Sequence, residues 1–90
     1  RVEYPEYVGS NSFNIKVVCS NKVAAPMDLK VKLSNKLSKN LHVEGLGSSA
    51  VTFGPLSIDK DTNYEINVQG SFILYQKSFT VKTGLYASLN

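Results

Sequence analysis

The chain has 90 residues, of which 42% are apolar and 19% charged, with a formal net charge of +3. That length sets one domain around one core. The single cysteine, Cys19, excludes an internal disulfide. No run of about 18 apolar residues exists to cross a membrane as a helix. The positive charge is nearly all lysine, with Arg1 the one arginine, which disfavours nucleic-acid recognition because arginine makes the bidentate contacts there.

Residues 2–7 contain Pro5, which restricts them to an edge strand or an extended lead-in. Gly9-Ser10-Asn11 is a turn. Residues 12–20 alternate, with Phe13, Ile15, Val17 and Cys19 on one face and Asn14 and Lys16 on the other. A period of two means a strand with one dry and one wet face. Residues 21–26 are a loop ended by Pro26, and residues 27–33 are a second clear strand with Leu29, Val31 and Leu33 inward. Residues 34–39 form a turn or a short helical turn. A weaker strand follows over 41–46, ended by Gly45 and Gly47, and another over 48–53, cut off by Gly54-Pro55 with Leu56 as a core plug. Residues 58–63 are a polar loop. Tyr64, Ile66 and Val68 mark the cleanest strand, over 62–69. After Gly70-Ser71, residues 72–75 and 77–82 are either two arms of a hairpin or one strand with a bulge. Residues 85–89 give a last edge strand. The pattern predicts an all-β protein, a single Ig-like or prealbumin-like antiparallel β-sandwich of about seven strands spanning residues 1–90. The abrupt start at Arg1 and the stop at Asn90 predict a piece of a larger protein, and no signal peptide or glycosylation sequon is visible.

No constellation of chemistry-bearing residues emerges. His42, the one histidine, is out of phase with Leu41 and Val43 and is expected at the surface. Metal sites and triads need a histidine or cysteine with partners, and no Gly-x-Ser-x-Gly elbow occurs. Cys19 falls on the apolar phase and is expected as a small buried hydrophobe. It fits either a reducing compartment or an oxidising one in which no bridge is needed. Asp59, Asp61 and Asn63 alternate as in a calcium loop, but position six is Tyr64 and position twelve is Gly70, so a solvated loop is the better reading. Lys16, Lys30 and Lys32 make a basic stripe if their strands share a sheet; lysine as the guard of exposed strands is the simpler role. All three are placed outward, which excludes an isopeptide cross-link in the core. Tyr4, Tyr7, Tyr75 and Tyr86 lie off the cleanest core phases, near strand ends, and are candidate contacts for a neighbouring domain or for a sugar.

Val51-Thr52-Phe53-Gly54-Pro55-Leu56 followed by Asn63-Tyr64-Glu65-Ile66-Asn67-Val68 resembles the carboxypeptidase-regulatory-like, or prealbumin-like, sandwich domains. There an aromatic strand ends in a leucine plug and a Tyr-x-Val strand returns. Met27 to Leu33 and Ser78-Phe79-Thr80-Val81 extend the resemblance toward the tandem lumenal repeats of endoplasmic-reticulum scaffold proteins. Fibronectin type III domains share a Leu-then-Tyr corner; this chain lacks their early core tryptophan, and the gap from Leu56 to Tyr64 is long for them. The resemblance implies a non-catalytic protein-interaction module, one of several tandem repeats of a membrane protein's ectodomain associated with membrane-protein biogenesis. It implies protein partners or neighbouring domains of the same chain, with no cofactor, no metal, no nucleic acid and no membrane insertion by this segment. The alternative is an extracellular fibronectin type III-like module for cell adhesion or carbohydrate binding.

Overall fold

The computed structural model describes residues 1–71 and 74–84. Among these residues there are seven strands and no helix: β1 (Val2–Glu3), β2 (Phe13–Ser20), β3 (Met27–Leu33), β4 (Leu37–Val43), β5 (Ser48–Leu56), β6 (Thr62–Gln69) and β7 (Leu74–Val81). They form two antiparallel sheets, ordered β1-β2-β5 and β4-β3-β6-β7. The expected all-β sandwich is therefore present. The predicted last strand over 85–89 lies outside the described residues.

Alternation works as the sequence implies. Ile15, Val31, Val43, Ile66 and Val81 are fully buried, and Phe53 and Val17 are 1% exposed. These side chains project from both sheets into one interior, where burial of apolar surface is the main stabilising term, about 1.5–3 kcal/mol for each large side chain. Aromatic rings close one end of the layer. Tyr4 stacks on Phe79 at 4.1 Å, Phe79 stacks on Tyr64 at 5.9 Å, and Phe13 meets Tyr64 edge-on at 6.2 Å.

The N-terminal segment joins the sheets. Val2 pairs with Val17 in the first sheet. After Tyr4-Pro5 the chain crosses the gap and forms a parallel bridge between Tyr7 and Lys82 at the edge of the second. Lys82 N–H donates to Glu6 O at 2.8 Å, and Val8 N–H donates to Lys82 O at 3.0 Å. Both readings of residues 2–7 thus hold in part: a two-residue edge strand, then an extended crossing at the proline.

Three boundaries differ from the sequence reading. β4 begins at Leu37, not 41, because residues 34–36 are a tight hairpin turn that puts Leu33 opposite Leu37. Ser34 and Asn35 both have positive φ, 51° and 57°, as the turns that match strand twist require. No glycine marks this turn, so the sequence signal is weak. β5 does not stop at Gly54-Pro55 but runs to Leu56, which pairs with Phe13 as a strand member and also packs against the core as expected. The register moves from Phe13–Leu56 to Ile15–Phe53, so β5 carries one extra residue opposite Asn14. This is a β-bulge on an edge strand, a place that tolerates proline. Finally, residues 74–81 pair with β6 in one unbroken register, so the described part of this segment is a single strand without a bulge.

Gly54 makes the bulge possible. Its φ is +148°, and a Cβ there would lie 2.0 Å from Asn14 Oδ1 and 3.0 Å from the Phe13 carbonyl oxygen. Gly9 also has positive φ, +57°, but a Cβ there meets nothing within 4 Å. We expect Gly54→Ala to lower stability by about 2–3 kcal/mol and Gly9→Ala by only about 1 kcal/mol. Urea denaturation checks this: both midpoints should fall at constant slope, with Gly54→Ala falling further.

Candidate interaction surface

Loops gather at the end of the sandwich where β3 begins. Residues 21–26 lead into β3, 44–47 leave β4, and Gly70-Ser71 leaves β6. Asn21 organises the first two. It is 3% exposed, although its position in a polar loop gave no sign of burial. Its Nδ2 donates to Ala25 O at 2.7 Å and Val43 O at 3.4 Å, its Oδ1 accepts from Val23 N–H at 3.0 Å, and its own N–H donates to Gly47 O at 2.8 Å. A buried amide stays folded in only when its hydrogen bonds are met. Leu46 N–H donates to Val23 O at 2.9 Å, and Gly45 lies against the Ala24–Ala25 backbone so closely that a Cβ would sit 2.6 Å from Ala24 C.

The consequence is an apolar pair held out to solvent. Val23 is 64% and Leu46 71% exposed, and their backbones are hydrogen-bonded to each other. Leu46 has φ 60°, a conformation that costs an L-residue about 1–2 kcal/mol. Leu74, at the same end on the first residue of β7, is 76% exposed. A groove of about 640 Å³ runs beside Val23, Pro26, Met27 and Gly70.

The sequence-predicted tyrosines do not form one platform. Tyr4 is half-buried and stacked on Phe79, so it serves the core. Tyr7 is 63% exposed, with Lys82 Nζ 5.7 Å from its ring centroid, just beyond the far end of β7. Tyr75 is at the opposite end of that strand. Tyr86 lies outside the described residues.

The lysines likewise separate. Lys16 is on β2 in the first sheet, while Lys30 and Lys32 are on β3 in the second. The condition for a shared basic stripe is not met. Lys16 and Lys30 are exposed and Lys32 half-exposed on the wet faces, as their phase implies. Lys39 has a definite place: its Nζ donates to Thr52 O at 2.6 Å and lies 5.5 Å from the centre of the Phe53 ring, spanning the gap between β4 and β5.

His42 is exposed, as expected, but it is not free in solvent. Its Nδ1 is 2.7 Å from Asp28 Oδ1 and its Nε2 2.8 Å from Glu44 Oε1. The β3–β4 register places Asp28 directly across from His42, and Glu44 follows two residues later on the same face. A neutral imidazole can donate only one hydrogen bond, so contacts to two carboxylates select the imidazolium. The hydrogen bond that His42 donates to Asp28, then the one it donates to Glu44, raises the His42 pKa above its ordinary value. The two carboxylates take opposite edges of the ring and do not converge on a common point. Among the described residues no group of three or more His, Cys, Asp or Glu could hold a metal ion. Cys19 packs against the core from β2, whereas His42 lies on the exposed face of β4 with Asp28 and Glu44, so the two do not share a site. The thiol is half-buried against the core, and desolvation raises its pKa. In the polar loop, Asp61 Oδ1 accepts from Thr83 N–H at 3.0 Å, and Asn63 bonds to the Thr80 hydroxyl. The first contact ties the loop to the chain after β7, and the second ties β6 to β7.

The chain matches no protein-family model and no curated protein.

Two outcomes follow from the titrations. A raised folded pKa means that the charged His42 contacts are complete below the unfolded value and are lost as pH rises through the folded value. In an NMR titration the His42 midpoint should lie above 6.5, the ordinary value. Asp28→Asn or Glu44→Gln should each lower it, and 1 M salt should compress the difference. Cys19 should alkylate more slowly with iodoacetamide at neutral pH than the same chain in urea, since the thiolate is the reactive form.

Proposed function

We propose that this domain is a non-catalytic interaction module, one of several tandem β-sandwich repeats of a longer scaffold protein. The observation that carries the reading is the loop end of the sandwich. Leu74, Leu46 and Val23 are the most exposed large apolar side chains among the described residues. Single exposed apolar residues are ordinary, but here they share one end, and two of them, Val23 and Leu46, stand on loops fixed by a buried amide. Preorganised apolar side chains bind partners with little further entropy cost.

Two finer readings of the fold are supported by different residues. The segments Met27–Leu33, Val51 to Leu56 and Asn63 to Val68 support the prealbumin-like name and, with it, similarity to the lumenal repeats of nodal modulator in the endoplasmic reticulum. The corner before β6 supports the fibronectin type III-like name. Leu56 and Ile58 are both half-buried and both pack against the core, and Ile58 lies six residues before Tyr64. With Ile58 as the plug the gap to the tyrosine is no longer too long, while Leu56 keeps the core contact that the prealbumin-like name requires. Carbohydrate binding loses support, because Tyr4 is engaged internally and Tyr7 and Tyr75 stand apart.

In the full-length protein, we expect Val23→Asp with Leu46→Asp to reduce the size of its native assembly in sedimentation velocity. Cys19→Ala with His42→Ala should leave that size unchanged. An assembly indifferent to the first pair, with loss of a biochemical activity on changing the second, would contradict an interaction role.

A further inference from the structure

The first five residues of β7, Leu74 to Ser78, are all exposed, whereas the last three, Phe79 to Val81, return to the alternating pattern. The register makes this unusual. Tyr75 pairs with Val68 and Lys77 with Ile66, and both partners are buried. Tyr75 and Lys77 therefore face the interior side of the sheet yet remain accessible, Tyr75 at 39%. The cause is the length of the opposing strand. On this side the first sheet ends in β1, which has two residues. Tyr4 and the bridge at Tyr7 cover the lower half of β7. Between Arg1 and Tyr75 a seam of about 180 Å³ stays open, floored by Val17, Leu29, Met27 and Val68.

The edge itself is ready for pairing. Lys82 directs both its N–H and its C=O away from β6, into residues 6–8. Backbone direction alternates along a strand, so Thr80, Ser78, Gln76 and Leu74 present theirs on the same edge. Among the described residues no strand pairs with β7 on that side. The chain's own N-terminal segment thus already uses, lower on this edge, the mode of attachment that the upper edge leaves open.

We propose that the upper half of β7 binds an extended peptide by strand addition, its inward side chains filling the seam over Val17, Leu29 and Val68. Main-chain hydrogen bonds supply affinity and the seam selects alternate apolar side chains. Lys77 on the edge favours a peptide flanked by acidic residues, the Arg1 guanidinium on the rim being already paired with Glu3 at 2.8 Å, and like charge disfavours pairing with a second β7. The proposal rests on the interaction-module reading and names its partner as an acidic-flanked extended strand.

The test is a titration of the ¹⁵N-labelled chain with a synthetic peptide of alternating valine and threonine, carrying a glutamate at each end. We expect shifts and slowed amide exchange at Leu74, Gln76, Ser78 and Thr80. Gln76→Pro removes an outward N–H without touching the β6 ladder and should abolish binding. Gln76→Ala keeps that N–H and should bind normally. Lys77→Glu, which does not depend on proline being accommodated, should weaken binding about fivefold. No shifts, shifts centred on residues 21–26, or association of the chain with itself through β7 would each overturn the proposal. If it falls while Val23→Asp with Leu46→Asp still disperses the native assembly, the interaction-module reading survives without it.

Discussion

Everything in this domain depends on two sheets meeting face to face through apolar side chains. Ile15, Val17 and Phe53 from one sheet and Val31, Val43, Ile66 and Val81 from the other fill the layer between them. Among the described residues no hydrogen-bond ladder crosses that layer. Alignment of the sheets is therefore set by packing, and by a few tethers at the rims. Apolar burial is strong but non-directional, so the rim contacts carry the geometric information. The column of Tyr4, Phe79, Tyr64 and Phe13 supplies it at one end. Rings prefer offset or edge-on contacts and so resist sliding.

The two long sides of the sandwich are finished differently. On the β4–β5 side, Lys39 reaches across to Thr52 O and over Phe53, a cation closing the gap while its aliphatic stem covers apolar surface. The bulge at Gly54-Pro55 interrupts the β5 edge as well. On the β1–β7 side the closing element is the N-terminal crossing, and it reaches only half of β7. A protein that protects one edge with a lysine, a bulge and a proline, and among the described residues leaves the upper part of another unpaired, concentrates its capacity for new contacts there. The adjacent loop end, with Val23 and Leu46 locked outward, adds to the same half of the molecule.

Charge is arranged to stay wet. The imidazole of His42 is satisfied by two carboxylates on an exposed face, and Glu65 is held below its ordinary value first by the Asn67 amide, then by the Gln76 amide. These are networks of a solvated sheet surface, where each pair contributes little to stability. Among the described residues the buried polar groups are Asn21 and Thr83, both hydrogen-bonded to backbone or carboxylate. Their work is to fix loops.

The amino-acid sequence by itself determined the class of fold and most of the interior. Period-two alternation at Phe13, Ile15 and Val17, at Leu29, Val31 and Leu33, and at Ile66 and Val68 decides which face is dry, whatever the strand order. It also placed Lys16, Lys30 and His42 on wet faces. Only the tertiary structure decided which faces lie side by side. The basic stripe dissolves because β2 and β3 belong to different sheets, a fact of topology that no local pattern encodes. Asp28 meets His42 through a hairpin whose turn, Ser34-Asn35, carries no glycine to announce it. Asn21 is buried because two distant loops close over it, and Tyr75 is exposed because a strand elsewhere is short. Local sequence sets each residue's direction from its own backbone; what that direction meets depends on partners far along the chain.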